Sequence, residues 1–301
     1  MIQTITAPEL KAQIEANAPF TLLHVLPDEH FTQQHLPGAV NACIYEMVFL
    51  SLVAELIPDK ASAIVVYGAG DSSLDSSVAA EKLMSAGYTQ VTDFRGGLTE
   101  WSRQGFVTEG TGLTSELPCA DGAFEVDLET SIVRWTGRNL FIHHSGTVKL
   151  ASGHIEIANG QLQGANFSLD MNSIACEDLA DSAYNAMLIR HLRDDDFFAV
   201  DRFPTSDFVC ENAIAIASAS PGSPSHTLQG SLTLRGVTQP LSIPVVIAAA
   251  DPDHLTGQAQ FEIDRTQFGS HYGSGRLFAF LGKHVVNDHI HLHVKLHAKR
   301  S

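Results

Sequence analysis

From Phe124 onward, run after run of this chain places an apolar residue at every second position. The runs are Phe124, Val126 and Leu128; Leu228, Leu232 and Leu234; Leu241, Ile243, Val245 and Ile247; Phe261 and Ile263; and Ile290, Leu292, Val294 and Leu296. Successive side chains of a strand point to opposite faces, so each run predicts a strand with one buried face. Gly-rich turns separate them, and many such strands in series predict an antiparallel barrel or sandwich. Up to Gly105 the pattern is different. It predicts a helix over 7–17, strands over 21–26 and 64–67, a helix over 76–86 and a strand over 90–94, an alternation that belongs to a parallel α/β sheet. Residues 108–120 are rich in Gly, Thr, Ser and Pro without periodicity and read as a linker. The 301 residues thus divide into an α/β domain over 1–107 and a β domain over 121–301.

Composition narrows the partners. Lys and Arg number 18 against 34 Asp and Glu, a net charge of −16 that opposes nucleic acid and anionic membrane surfaces. The first residues carry acids and no long apolar run, so no secretory signal is expected and the expected location is the cytoplasm. The most apolar stretch, 47–57, contains Glu55 and falls short of the ~20 residues a membrane span needs. The cysteines, Cys43, Cys119, Cys176 and Cys210, form no CxxC pair, which suits reduced thiols better than a disulfide framework or zinc knuckle.

In the first domain, FTQQHLPGAVNA (31–42) is followed by VVYGAGDSSLDSSVAAEKLMSAGYTQVTDFRGGLTEW (65–101). These strings, in this order, resemble the rhodanese family over essentially residues 1–107. The resemblance implies an active-site loop directly after the second of the predicted strands. In the family that loop opens on a cysteine carrying sulfur as a persulfide, stabilised by backbone N–H groups and a helix N-terminus. Here the position is Gly68, and the loop Gly68, Ala69, Gly70, Asp71, Ser72, Ser73 holds no cysteine, lysine or arginine. His24 and Leu26 stand where the family usually has Asp and Arg. The expectation is a domain without sulfurtransferase activity that serves as a scaffold or docking module, its loop retaining N–H donors for weak anion binding. The alternative is sulfur transfer through Cys43. His35 reads as a residue packing the Pro37–Gly38 turn.

In the second domain, FEVDLETSIVRWTGRN, GANFSLDMNSIACEDL, HLRDDDFFAVDRFPTSDFV, GSLTLRGVTQPLSIPV and QAQFEIDRTQFGSHYGSG follow one another. They resemble the YceI-like family over nearly all of 123–298. The family implies a lipocalin-like antiparallel barrel enclosing an elongated apolar ligand, a polyisoprenoid or quinone, with no other cofactor required; relatives also suggest a homodimer. An eight-stranded barrel has room for one slender ligand. Candidate lining residues are Trp135, Phe167, Leu169, Phe197, Phe198, Phe208, Leu232, Phe261 and Phe268. The break at 178–203, a helix-like run followed by three aspartates and a Phe pair, is expected to lie across one end of the barrel.

Two further patterns carry weaker chemistry. Asp194, Asp195 and Asp196 read as helix capping and solvated charge rather than a hard-cation site. His289, His291, His293 and His297 share one strand face, which admits a metal-binding or stress-related alternative, although a solvated or interface face explains them without metal. His143 and His144 fall on opposite strand faces and do not form a joint ligand pair. The function expected from the sequence is that of a non-catalytic, apolar-ligand-binding protein.

Overall fold

The computed structural model describes residues 2–112, 121–179 and 183–301. The chain divides into two compact units, Met1–Ser115 and Glu116–Ser301.

The first unit runs β1 (Gln3–Thr4), α1 (Ala7–Glu15), β2 (Thr21–His24), α2 (Asp28–Gln33), β3 (Val40–Asn41), α3 (Phe49–Leu56), β4 (Ala63–Tyr67), α4 (Asp75–Ser85), β5 (Gln90–Phe94) and α5 (Gly97–Arg103). Its sheet is parallel throughout, in the order β1-β5-β4-β2-β3. Both faces are covered, which is why the central strands read as unbroken apolar runs rather than alternations. Ile64 and Val66 pack with Phe49, Val53, Ala79 and Leu83 on one face. Val65 and Tyr67, one residue out of phase, pack with Leu10, Phe94 and Trp101 on the other. The predicted elements appear with bounds shifted by a residue or two. Residues 108–112 do not run free as linker. Glu109 and His35 exchange backbone hydrogen bonds of 2.9 and 2.8 Å, and Gly112 N–H donates to Gln33 C=O at 3.0 Å. The remainder of the expected linker, 113–120, including Cys119, lies outside the described residues.

The second unit runs β6 (Gly122–Val126), β7 (Ile132–Arg138), β8 (His143–Ala158), β9 (Gln161–Cys176), α6 (Ala183–Arg193), β10 (Thr205–Ala215), β11 (His226–Leu234), β12 (Val237–Asp251), β13 (His254–Asp264) and β14 (His289–Arg300). All neighbouring strands are antiparallel, and the pairing of β13 with β14 closes the sheet into a barrel. The strands fill eight slots because β6 and β7 share one. Both lie between β14 and β8: β7 pairs with the His291–Lys295 part of β14, and β6 with Ala298–Arg300. The β8–β9 hairpin turns on Asn159 and Gly160, both at positive φ (54° and 66°), the backbone twist that two-residue hairpins require and that Asn-Gly supplies at low steric cost. The segment after β9 brings Leu192 from α6, then Phe197 and Phe198, into the barrel core.

Candidate functional site

The barrel interior is hollow and apolar. One cavity of about 130 Å³ is lined by Phe167, Leu169, Phe208, Leu232 and Phe261 among the expected residues, with Val133, Leu150, Leu241, Val245 and others. Its few polar neighbours are Ser206, Thr256 and Gln258. A second cavity of about 110 Å³ is lined by Trp135, Phe197 and Phe198, with Met171, Arg265 and Asn287. Leu169, Ser206, Leu232 and Leu292 border both, so the cavities share a wall. Phe268 belongs to the barrel core but lines neither cavity. It sits on the 3-10 turn Arg265–Phe268 that follows β13, where strand parity no longer dictates direction.

Arg265, which the sequence did not single out, is the fully buried cation of this interior. Its Nε donates to Asn287 C=O at 3.0 Å, Nη1 to Ser270 C=O at 2.7 Å and Nη2 to Val286 C=O at 3.1 Å. The guanidinium lies 5.1 Å from the Phe197 ring centroid, and Asp288 Oδ1 is 3.8 Å from Nη2. Burial pulls its pKa down while Asp288 and Asp264 push it back up; an arginine stays charged regardless. Three of its five N–H groups go to backbone carbonyls, and it borders the second cavity. An apolar chamber bordered by one cation and by Asn287 can take a largely apolar molecule with a small polar group.

The loop between β4 and α4 is arranged otherwise. The Asp75 carboxylate is buried within it, accepting from Ala69 N–H at 3.1 Å, Ser73 Oγ at 2.7 Å and Ser76 N–H at 2.6 Å. A Cβ on Gly68, the position the resemblance gives to the family's cysteine, would overlap that carboxylate. The expected weak anion site is therefore corrected for these donors: Ala69 N–H and Ser76 N–H already serve the chain's own anion. Gly97, at φ 50°, lets the next loop close on this one; a Cβ there would overlap Gly68 C=O.

Beneath the loop, His24 is fully buried, with Nδ1 accepting from Asn41 Nδ2 at 2.9 Å. Burial, then repulsion from His35 and His30, outweigh the attraction of Asp75 and pull its pKa down to about 4. His24 is thus neutral at pH 7. Tyr67 Oη accepts from Leu36 N–H at 2.9 Å, and burial raises its pKa. His35 stacks on Phe31 with centroids 4.0 Å apart, and its Nδ1 lies 2.7 Å from Phe31 C=O. Cys43 is a buried free thiol.

The remaining candidates separate. Asp195 accepts from Arg202 Nε at 3.0 Å, whereas Asp196 lies 3.9 Å from His191. These aspartates follow α6 instead of opening it, so they do not cap its N-terminus, and they do not converge. His289, His291 and His293 lie on the outer side of β14, opposite the cavity-lining Leu292, Val294 and Leu296; His291 faces Glu262 at 3.7 Å. His144 is bonded to Asp178 at 2.8 Å.

Residues 124–298 match the family described as YceI-like domain, and residues 6–104 match the Rhodanese-like domain. The chain is 30% identical over 102 residues to the adenylyltransferase and sulfurtransferase uba4 of Ogataea parapolymorpha, covering 34% of this chain but 24% of that protein. It thus spans about a quarter of the length of that curated relative. Among solved structures it is similar to BcnA of Burkholderia cenocepacia, at 19% identity and a TM-score of 0.46 over 58% of this chain and 99% of that one. It is also similar to a polyisoprenoid binding domain from Saccharophagus degradans, implicated in plant cell wall breakdown, at 12% identity and a TM-score of 0.41 over 59% and 98% of the two chains.

Proposed function

This chain belongs to the YceI-like family, and from that premise we propose that its barrel is a carrier or store for an isoprenoid chain, a polyprenol or the tail of a quinone. The observation that supports it is the pair of apolar cavities sharing one wall. Protein cores are normally close-packed. At ~24 cal/mol per Å³, leaving a void of about 130 Å³ empty costs roughly 3 kcal/mol. Each cavity alone approaches the size that takes a benzene-like guest, so a longer molecule must thread the shared wall at Leu232 and Leu292. Each five-carbon unit moved from water into such walls gains about 4 kcal/mol, at ~0.8 kcal/mol per buried carbon. The polar end lies toward Arg265 and Asn287, because a carbonyl or hydroxyl needs a partner in an apolar chamber. No helix among the described residues is long and apolar enough to cross a membrane.

Trp135 lines the second cavity and provides the assay. In a Trp101→Phe variant stripped of lipid, a prenylated quinone should quench Trp135 fluorescence saturably, and a polyprenol should reverse the quenching by competition. A linear, unsaturable response would refute the reading.

The rhodanese-like unit, in the same proposal, does no sulfur chemistry and acts as a docking or scaffold module. Asp75 supports this, since its carboxylate takes the space and two N–H donors that a persulfide would use. A thiosulfate–cyanide assay on the wild type and Cys43→Ser tests it: no turnover in either is expected, and turnover abolished by Cys43→Ser would establish the sulfurtransferase reading instead.

A further inference from the structure

On the second unit, three side chains from two separate stretches of sequence meet. His144 is the second residue of β8, Cys176 the last of β9, and Asp178 lies two residues beyond. The β8–β9 register sets Gly146 opposite Cys176. A Cβ at 146 would overlap Ala175 C=O, so glycine there permits the close strand approach. Asp178 is the hub: Oδ2 lies 2.8 Å from His144 Nδ1, while Oδ1 accepts from Ser145 N–H at 2.8 Å and from the Cys176 thiol at 3.2 Å. One ligand atom from each of the three residues lies within 4.8 Å of the others. The flanks are fixed as well, Glu177 by an ion pair with Arg134 and the Cys176 carbonyl by Asn185 Nδ2 at 2.9 Å.

We propose that His144 Nδ1, Cys176 Sγ and the Asp178 carboxylate form a binding site for one divalent cation of the zinc type, independent of the apolar cavities. The donor set decides the class. Imidazole and thiol suit a borderline ion, whereas calcium and magnesium take oxygen ligands. Tetrahedral zinc, with bonds of about 2.0–2.3 Å, sets neighbouring ligand atoms roughly 3.3–3.6 Å apart. The hydrogen-bonded separations of 2.8 and 3.2 Å need open by less than about 1 Å to reach that. Three protein ligands leave the fourth position to water or an incoming group, the arrangement of open rather than closed zinc sites.

Burial raises the Asp178 pKa, but hydrogen bonds from Ser145, His144 and Cys176 outweigh it and bring it down to about 2, so one ligand is anionic already. Burial and the Asp178 contact push the Cys176 thiol up. Without metal it is therefore a neutral thiol and no ready nucleophile. On binding, the thiol proton leaves to solvent as the thiolate coordinates, and the imidazole offers Nδ1 with its ring proton on Nε2.

The test uses the full chain, freed of metal by chelation and titrated with Co²⁺ as a coloured stand-in for zinc. One equivalent should produce thiolate-to-cobalt charge-transfer absorption, and equimolar Zn²⁺ should bleach it. Cys176→Ser should abolish the band. His144→Ala and Asp178→Asn, at partly exposed positions that do not threaten folding, should weaken binding at least about tenfold, since even outer-sphere changes reach that scale. Cys43→Ser and the double variant His291→Ala, His293→Ala should leave the band intact. A band that survives Cys176→Ser, binding that survives His144→Ala but falls with the β14 histidines, or no band at several equivalents would each overturn the proposal.

Discussion

In the first unit the start of α4 carries its own occupant: Asp75 fills the loop, consumes Ala69 and Ser76 N–H donors, and leaves no room at Gly68 for a side chain. In the barrel, by contrast, aromatic and branched side chains surround space that they do not fill. Two of the loop's N–H donors are thus already satisfied by a residue of the chain. An apolar hollow of this size costs several kcal/mol when dry, a cost that a guest of matching shape would offset. The difference is between a loop packed by the chain's own carboxylate and a barrel with room left in its core.

The contrast can be broken at four places. Trp101 stands in the first unit and Trp135 in the second, so single-tryptophan variants report each unit alone. The largest effect is expected at Arg265→Leu, which strands three backbone carbonyls and leaves Asp288 without its buried partner; about 3–5 kcal/mol should be lost on urea unfolding followed by Trp135. A loss below about 1 kcal/mol would remove Arg265 as an organiser of the chamber.

Next comes acid. The folded His24 pKa of about 4 lies below the unfolded 6.5. Between these values the unfolded chain binds the extra proton, so stability is full above pH 6.5 and falls as pH drops toward 4. The Trp101 signal should report roughly 3 kcal/mol lost across that window, and His24→Asn should flatten the profile. An unchanged profile in the variant would show that His24 titrates normally.

Smaller is the effect of Gly68→Cys, at about 1–3 kcal/mol of crowding against Asp75. Adding Asp75→Ser should recover most of it and let the new thiol accept sulfur from thiosulfate. Equal costs in both backgrounds would mean that Asp75 does not fill the loop as described. Smallest in stability is Leu232→Trp. Placed in the wall common to both cavities, it should cost no more than about 1–3 kcal/mol yet abolish retention of a long prenylated quinone in equilibrium dialysis, while short apolar guests still bind.

The sequence announced both folds, and the reason is periodicity. Strand parity accounts for Phe167, Phe208, Leu232 and Phe261 facing the first cavity, and has no reach at Phe268, which lies on the 3-10 turn beyond the strand. Arg265 escaped because its partners Ser270, Val286 and Asn287 come from irregular chain with no pattern to read. Asp71 is the acidic residue within the loop sequence, yet Asp75 is the one folded into it, a matter of side-chain direction that spacing does not carry. His144 was weighed against its neighbour His143 along the strand; its partners Cys176 and Asp178 lie across the sheet, visible only in the register.

The proposed carrier role requires an elongated apolar guest in the barrel. Mass spectrometry of an organic extract of the freshly purified chain, beside the same extract from Leu232→Trp, tests it most directly. An isoprenoid-bearing species near one per chain is expected in the wild type, and its loss in the variant. An extract free of lipid from a wild-type chain whose cavities prove dry would contradict it.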